Sequence, residues 1–156
     1  MEQLIDFENI ELLSSGTLRI KKIPIWKARK SFFDISNLES IDTVEAAKGF
    51  VTANINKIES IITWVEASRI EIGKFLIQLG EKERAEDWLA QAGDYKKITD
   101  ESFIGSLDIG DIGIDYEKNP GMDVFYLEIT FDPDYFNGSR CYVGVDAKWQ
   151  LFEFHP

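Results

Sequence analysis

The stretch TDESFIGSLDIGDIGIDYEKNPGMDVFYLEITFDPDYFNGSRCYVGVDAKWQLFEFHP (99–156) predicts a short helix followed by strands. Thr99 is a favourable N-cap residue for that helix. Apolar and polar residues then alternate, as expected for strands, whose successive side chains point to opposite faces. Turn sequences rich in Gly, Pro, Asn and Asp separate the alternating stretches, so we expect an antiparallel meander. The four predicted strands are 109–115, 123–130, 140–145 and 150–155.

The earlier parts of the chain have different patterns. Residues 1–42 alternate as strands do, most clearly in TLRIKKIPIW (17–26). Residues 43–93 place apolar residues at helical spacing, with caps predicted at Thr43 and at Ser68 and a stop at Gly93. We therefore expect a single α+β domain over 1–156, with N-terminal strands, a central helical segment and a C-terminal antiparallel β-meander whose one face is covered by helices.

Two groups of side chains in these earlier segments carry further predictions. Trp64 and Trp88 lie in the helical segment and are predicted to be core residues. Six basic residues and no acidic residue fall within 19–30. This pattern favours a solvated edge strand protected by lysine over an anion-binding patch, and the basic side chains could also face the acidic C-terminal sheet.

Negative charge is concentrated in the C-terminal third. The chain of 156 residues has a net charge of −11, and residues 99–156, with twelve acidic and three basic residues, account for −9 of it. Such a surface repels phosphates, so we expect a basic protein partner and no nucleic acid. No apolar run approaches the roughly 20 residues that cross a bilayer, and the N-terminus lacks a signal-peptide pattern. The sequence predicts a cytoplasmic protein that does not contact membranes.

The residues do not form a recognisable catalytic motif. His155 is the only histidine and Cys141 the only cysteine, so a His-based metal site and a zinc–cysteine cluster are not expected. DPDYFNG (132–138) offers oxygen ligands but lacks the spacing and terminal glutamate of an EF-hand loop, which favours an acidic turn. The sequence thus predicts no enzyme activity, no metal and no cofactor.

Aromatic residues lie among the acidic residues of the meander, and this combination is typical of a surface that binds a basic protein. We expect the acids to mimic phosphate and the aromatic rings to anchor the partner. The predicted partner-binding residues are Asp111, Asp115, Asp132, Asp134, Tyr135 and Trp149.

Residues 50–145 also resemble an uncharacterised family of bacterial domains. The matching segments are IITWVEASR (61–69), ITDESFIGSLDIGDIGID (98–115) and FDPDYFNGSRCYVGV (131–145). The family usually has Gly-His after the aromatic turn, whereas this chain has Gly138-Ser139, so a role of that histidine does not carry over. Members of this kind are similar to immunity proteins of polymorphic toxin systems.

The resemblance implies that this protein neutralises a cognate bacterial toxin by direct binding. Two alternatives stay open at this point. One is a small ligand-binding domain or hydrolase with a pocket between helices and sheet, and the other is an adaptor or homo-oligomeric structural protein. The oligomeric state is open too.

Overall fold

In a computed structural model of the protein, which describes residues 4–14 and 16–156, seven strands form one sheet in the order β1-β2-β3-β4-β5-β6-β7. Residues 1–3, part of the N-terminus that entered the localisation prediction, lie outside the described residues. The strands are β1 (Ile10–Ser14), β2 (Thr17–Ile25), β3 (Ala28–Ser36), β4 (Leu107–Asp115), β5 (Phe125–Phe131), β6 (Cys141–Val145) and β7 (Leu151–Glu153).

Five helices lie between β3 and β4, as the helical spacing predicted. They are α1 (Val44–Ala53), α2 (Ile55–Ala67), α3 (Arg69–Gln78), α4 (Glu81–Gln91) and α5 (Asp100–Gly105). A 3-10 turn over Phe7–Asn9 precedes β1.

The predicted helix boundaries are largely confirmed by the caps. The hydroxyls of Thr43 and Thr99 each accept a hydrogen bond of 3.0 Å from a backbone N–H three residues on. Gly93 follows α4 with φ 87°, a conformation that favours glycine. Ser68 does separate α2 from α3, but its side chain makes no capping hydrogen bond, so the capping box predicted there is wrong.

One junction in the sheet is parallel. Residues 32–36 of β3 pair with 111–115 of β4 in the same direction, whereas every other neighbouring pair is antiparallel. Parallel strands cannot be joined by a tight hairpin, and the helical segment supplies the long crossover that they need. The α+β class and the C-terminal meander are confirmed, and the parallel pair joins that meander to the N-terminal strands.

The two faces of the sheet differ in burial. One face carries the buried apolar side chains, among them Leu18, Phe33 and Ile112, which form a single core with the helices. The other, which we call the open face, carries half-buried polar and aromatic side chains such as Asp34 and Tyr126 and is not covered by any described helix. This arrangement confirms that helices cover one face.

Two sequence predictions about these segments are corrected by the fold. Trp88 is 42% exposed on α4, so the prediction that it is a core residue is wrong, whereas Trp64 packs against the core as predicted. β2, which holds much of the basic run, pairs with β1 and β3 on its two sides and is therefore not an edge strand. Part of that run does face the acidic segment, since Lys30 Nζ lies 3.0 Å from Asp108 Oδ2.

Helices of the described part are all too short or too polar to cross a bilayer.

Candidate functional site

The structure places the six predicted partner-binding residues in three separate locations. Asp111 and Asp115 lie on the open face of β4. Asp132, Asp134 and Tyr135 lie in the loop between β5 and β6. Because β5 runs antiparallel to β4, this loop is at the end of the sheet where β4 begins, opposite the end occupied by Asp115. The third location is the β6–β7 turn, which holds Trp149.

We call residues 132–140 the acidic loop. Aromatic packing fixes its position, since the fully buried ring of Phe136 packs edge-on against the ring of Phe131, with 4.9 Å between the ring centroids. The ring of Tyr135 stacks on that of Phe103 in α5, with 6.5 Å between ring centroids. The backbone N–H of Asp132 donates a 2.8 Å hydrogen bond to the carbonyl of Ser106. The loop is therefore held at three points along its length.

The acidic side chains of this loop are free of cationic partners. Asp132 and Asp134 are exposed, and among the described residues neither carboxylate has a Lys, Arg or His nitrogen within 4 Å. One Asp134 oxygen accepts a 3.3 Å hydrogen bond from the backbone of Phe136, which orients it. Burial raises the pKa of the Tyr135 hydroxyl, so this side chain stays neutral beside the two charges.

Two cations that belong to or contact the acidic loop are already paired. Arg140, the last residue of the acidic loop, has its Nη1 2.5 Å from Glu128 Oε1. Arg84 lies with its guanidinium 4.1 Å from the ring centre of Phe136 and pairs with Glu81 at 2.5 Å. Neither guanidinium neutralises the two loop carboxylates, which remain available to an external cation.

Asp111 belongs to a different arrangement, which we call the charged row. It crosses the open face from β2 to the start of β6 and consists of Arg19, Asp34, Asp111, Glu128 and Arg140. Arg19 holds Asp34 through two hydrogen bonds of 2.7 and 2.9 Å. Asp111 Oδ1 is buried, lies 3.7 Å from Arg19 Nη2 and accepts no hydrogen bond from a described residue. Burial, followed by the negative charges of Asp34 and Glu128, raises the pKa of Asp111 to about 7.

Asp115, by contrast, is well supplied with donors. Its carboxylate accepts a 2.9 Å hydrogen bond from Asn37 Nδ2 and weaker ones from the backbone N–H groups of Glu117 and Lys118. The Asn37 hydrogen bond is the main reason why the pKa of Asp115 lies below its usual value. This residue organises the β4–β5 turn.

A cleft of about 340 Å³ lies on the open face near Asp115. Gly113 lines this cleft, and the space above it is open, because a Cβ atom at that position would have no neighbour within 4 Å. Tyr126 and Phe154 form an aromatic wall, with their ring centroids 4.2 Å apart. The cleft is on the uncovered side of the sheet, so it does not correspond to the predicted pocket between helices and sheet.

Trp149 is 37% exposed and stacks on Trp64 of α2 with 5.8 Å between centroids. It also contacts the ring of Phe125 edge-on at 6.1 Å. The indole thus closes one end of the core and shows only one side to solvent, at a distance in the fold from the acidic loop.

Cys141 is buried, and its thiol lies 3.1 Å from Glu81 Oε2. Burial, and then the hydrogen bond to Glu81, raises the pKa of this thiol to about 12, so it stays protonated at physiological pH. Among the described residues, no group of three His, Cys, Asp or Glu side chains is placed to hold a metal ion.

The partners of Asp111 in the charged row were missed by the sequence reasoning. Alternation along β2, β3 and β5 puts Arg19, Asp34 and Glu128 on the face opposite the core, and this was the available signal. Alternation does not reveal the register shift between Ile109 and Asp111, however. Gly110, inserted there, brings Asp111 directly opposite Glu128.

Comparison with known proteins adds no relative from which a role could be inferred. The family resemblance therefore stays a prediction. No protein-family model matches this chain, and no curated protein or solved structure matches it.

Proposed function

We propose that this chain is an acidic binding protein that captures a basic protein through the acidic loop. The observation that carries the proposal is the pair Asp132 and Asp134, two exposed carboxylates without a cationic partner among the described residues, in a loop fixed by buried rings. A loop already held in its binding conformation loses little entropy on association, and unpaired surface charges accelerate encounter with a partner of opposite sign.

Tyr135 supplies the second element of such a surface. Its ring is half-buried against Phe103, so a partner gains contact with an aromatic side chain that is already ordered. Tyrosines are enriched among the residues that dominate binding energy, particularly where they are partly desolvated. The partner expected here presents lysine or arginine side chains around a small apolar contact.

The partner class that we favour is a bacterial toxin domain with a cationic active cleft, which makes this chain an immunity protein. Support comes from the sequence resemblance and from the charge of −11, which suits inhibition of a protein that acts on phosphate-bearing substrates. On this reading the two loop carboxylates occupy the positions that substrate phosphates would take.

The test is a rescue and binding experiment with the product of the neighbouring gene, which the immunity hypothesis expects to be a toxin. Co-expression should relieve toxicity in a test bacterium, and the purified pair should form a one-to-one complex that weakens as salt rises. The double variant Asp132→Lys/Asp134→Lys should weaken that complex by about 100-fold or more and abolish rescue, since each loop charge is reversed.

The matched control is Glu117→Lys/Asp123→Lys, which makes the same change of charge with two exposed acids of the β4–β5 connection at the other end of the sheet. It should change affinity by less than about fivefold, because only the long-range attraction is reduced. Equal losses in both double variants would mean that net charge alone drives binding. Persisting toxicity with the unaltered chain would reject the immunity role itself.

A further inference from the structure

We propose that the charged row is a pH-sensitive latch: a proton held by Asp111 completes the charge balance across β3, β4 and β5, and its loss loosens the pairing of these strands. This inference goes beyond the binding role and does not depend on it, since the acidic loop and the centre of the row are different parts of the fold.

Negative and positive charges are unequal in number along the row. The row contains three carboxylates but only two guanidinium groups, and each guanidinium is committed to a carboxylate other than Asp111. Arg19 uses Nε and Nη2 on Asp34 at 2.7 and 2.9 Å. Arg140 is 2.5 Å from Glu128. Among the described residues of the row, Asp111 is therefore the carboxyl group without a hydrogen-bonded guanidinium, and Arg19 Nη2 approaches it only to 3.7 Å.

Two further cations of the open face are paired with acids other than Asp111. On β2, Lys21 pairs with Glu11 of β1 at 3.5 Å, and on β3, Lys30 pairs with Asp108 of β4 at 3.0 Å. The charged groups that face Asp111 from the strands around it are therefore Arg19 and Lys21 from β2, Lys30 and Asp34 from β3, Asp108 from its own strand, Glu128 from β5, Arg140 before β6 and, at the margin, Glu11 of β1.

The surroundings of the Asp111 oxygens also favour the protonated form. Oδ1 has almost no contact with solvent and accepts no hydrogen bond from the described residues, and its nearest described cation, Arg19 Nη2, is 3.7 Å away. A charged oxygen in such a place is costly, whereas a protonated carboxyl is neutral and can donate to Asp34. The pKa of Asp111, raised to about 7 by burial and by the two acidic neighbours, agrees with this reasoning.

The position of Asp111 turns ionisation into a change in pairing. Asp111 lies directly opposite Phe32 in the parallel pair and directly opposite Glu128 in the antiparallel pair. Like charges directly opposite one another destabilise a strand pair. When Asp111 loses its proton, that repulsion arises at the strand that joins the N-terminal strands to the meander.

The direct test is a titration of side-chain carboxyl carbons by NMR on the whole, unliganded chain. The Asp111 signal should titrate with a midpoint near pH 7, as its surroundings predict. Over the same range, amide hydrogen exchange in β3 and β4, corrected for the intrinsic pH dependence of exchange, should become at least about threefold faster. An Asp111 midpoint near 4, or exchange in β3 and β4 that does not follow the titration, would overturn the proposal.

Two variants separate the latch from a general effect of pH. Glu128→Gln removes one negative neighbour and should move the Asp111 midpoint down by about one pH unit, together with the change in exchange. Asp108→Asn, on the same strand but paired with Lys30, should leave the midpoint within about 0.3 of a unit. A midpoint that does not respond to Glu128→Gln, or that moves equally in both variants, contradicts the proposed row.

Discussion

The guanidinium of Arg69, at the start of α3, lies 4.9 Å from the ring centre of Trp26, at the tip of the β2–β3 hairpin. The same guanidinium donates hydrogen bonds of 3.2, 2.7 and 3.1 Å to the carbonyls of Ile104, Gly105 and Leu107. One side chain thus joins the hairpin to the place where α5 ends and β4 begins.

Arg69→Lys is expected to destabilise the protein by about 1.5–3 kcal/mol, although it keeps the charge, because an ammonium group cannot serve three carbonyls and a ring at once. Lys74→Ala, at an exposed position of the same helix, should cost less than about 0.5 kcal/mol. Urea unfolding followed by tryptophan fluorescence measures both. Equal stability of the two variants would show that the carbonyl contacts contribute little.

Gly73 and Gly49 offer a matched pair of helix-interior glycines. A methyl group on Gly73 would lie 2.5 Å from Ile104 Cγ1, whereas one on Gly49 would have no neighbour within 4 Å. Gly73→Ala should therefore destabilise the chain by about 1–3 kcal/mol through overpacking against α5. Gly49→Ala should stabilise it by about 0.5–1 kcal/mol, since alanine gains in helix propensity and meets no obstacle.

Thermal unfolding at one pH is enough to compare the two substitutions with the unaltered chain. Their effects on the melting temperature should have opposite signs. Two shifts of the same sign would contradict the close packing of α3 on α5.

The stability of the chain should depend on pH through Asp111. Its pKa of about 7 in the folded protein lies above its ordinary value of 3.8, so the folded state binds the proton more tightly than the unfolded state does. The resulting stabilisation is complete below pH 3.8 and is lost as the pH rises through 7.

Asp111→Asn removes this dependence and keeps the shape of the side chain. Between pH 5 and pH 8 the variant should gain about 1–2 kcal/mol relative to the unaltered chain. Chemical denaturation at both pH values measures the difference. A constant difference between the two proteins would mean that Asp111 is ionised throughout.

Cys141 should resist alkylation in the folded protein. With its thiol buried and its pKa raised to about 12, almost no thiolate is present at pH 8. Mass spectrometry after iodoacetamide treatment should show labelling at least about 100-fold slower for the native chain than for the chain in denaturant, since only unfolded molecules expose the thiol. Fast labelling of the native chain would place this strand end in a more open environment.

The fold was predictable to the extent that local patterns decide it. Helical spacing and the cap residues Thr43 and Thr99 predicted where helices start, and alternation predicted the meander strands to within a few residues. The parallel pairing of β3 with β4 was not predictable in this way. It joins residues far apart in sequence, and alternation within a strand does not reveal which strand is its neighbour.

The candidate site was predictable in composition but not in arrangement. Charge counting singled out Asp132, Asp134 and Asp111 alike, although the first two are exposed without a cationic partner among the described residues and the third is half-buried in a row of charged side chains. The difference arises from Arg19 and Glu128, whose proximity depends on strand order and on the register shift at Gly110. The exposure of Trp88 was not predictable either, since helical spacing does not distinguish a helix face that packs on the core from one at the margin of the core.

The parallel junction also bears on how the chain reaches its folded state. Residues 32–36 can pair with residues 111–115 only after β4 has been synthesised. One edge of β3 therefore stays unpaired while the ribosome synthesises the helical segment. Contacts of such large sequence separation slow folding, because the loop between them has to be closed first. During synthesis the N-terminal hairpins therefore present an open sheet edge, and the arrival of β4 is the event that completes the molecule.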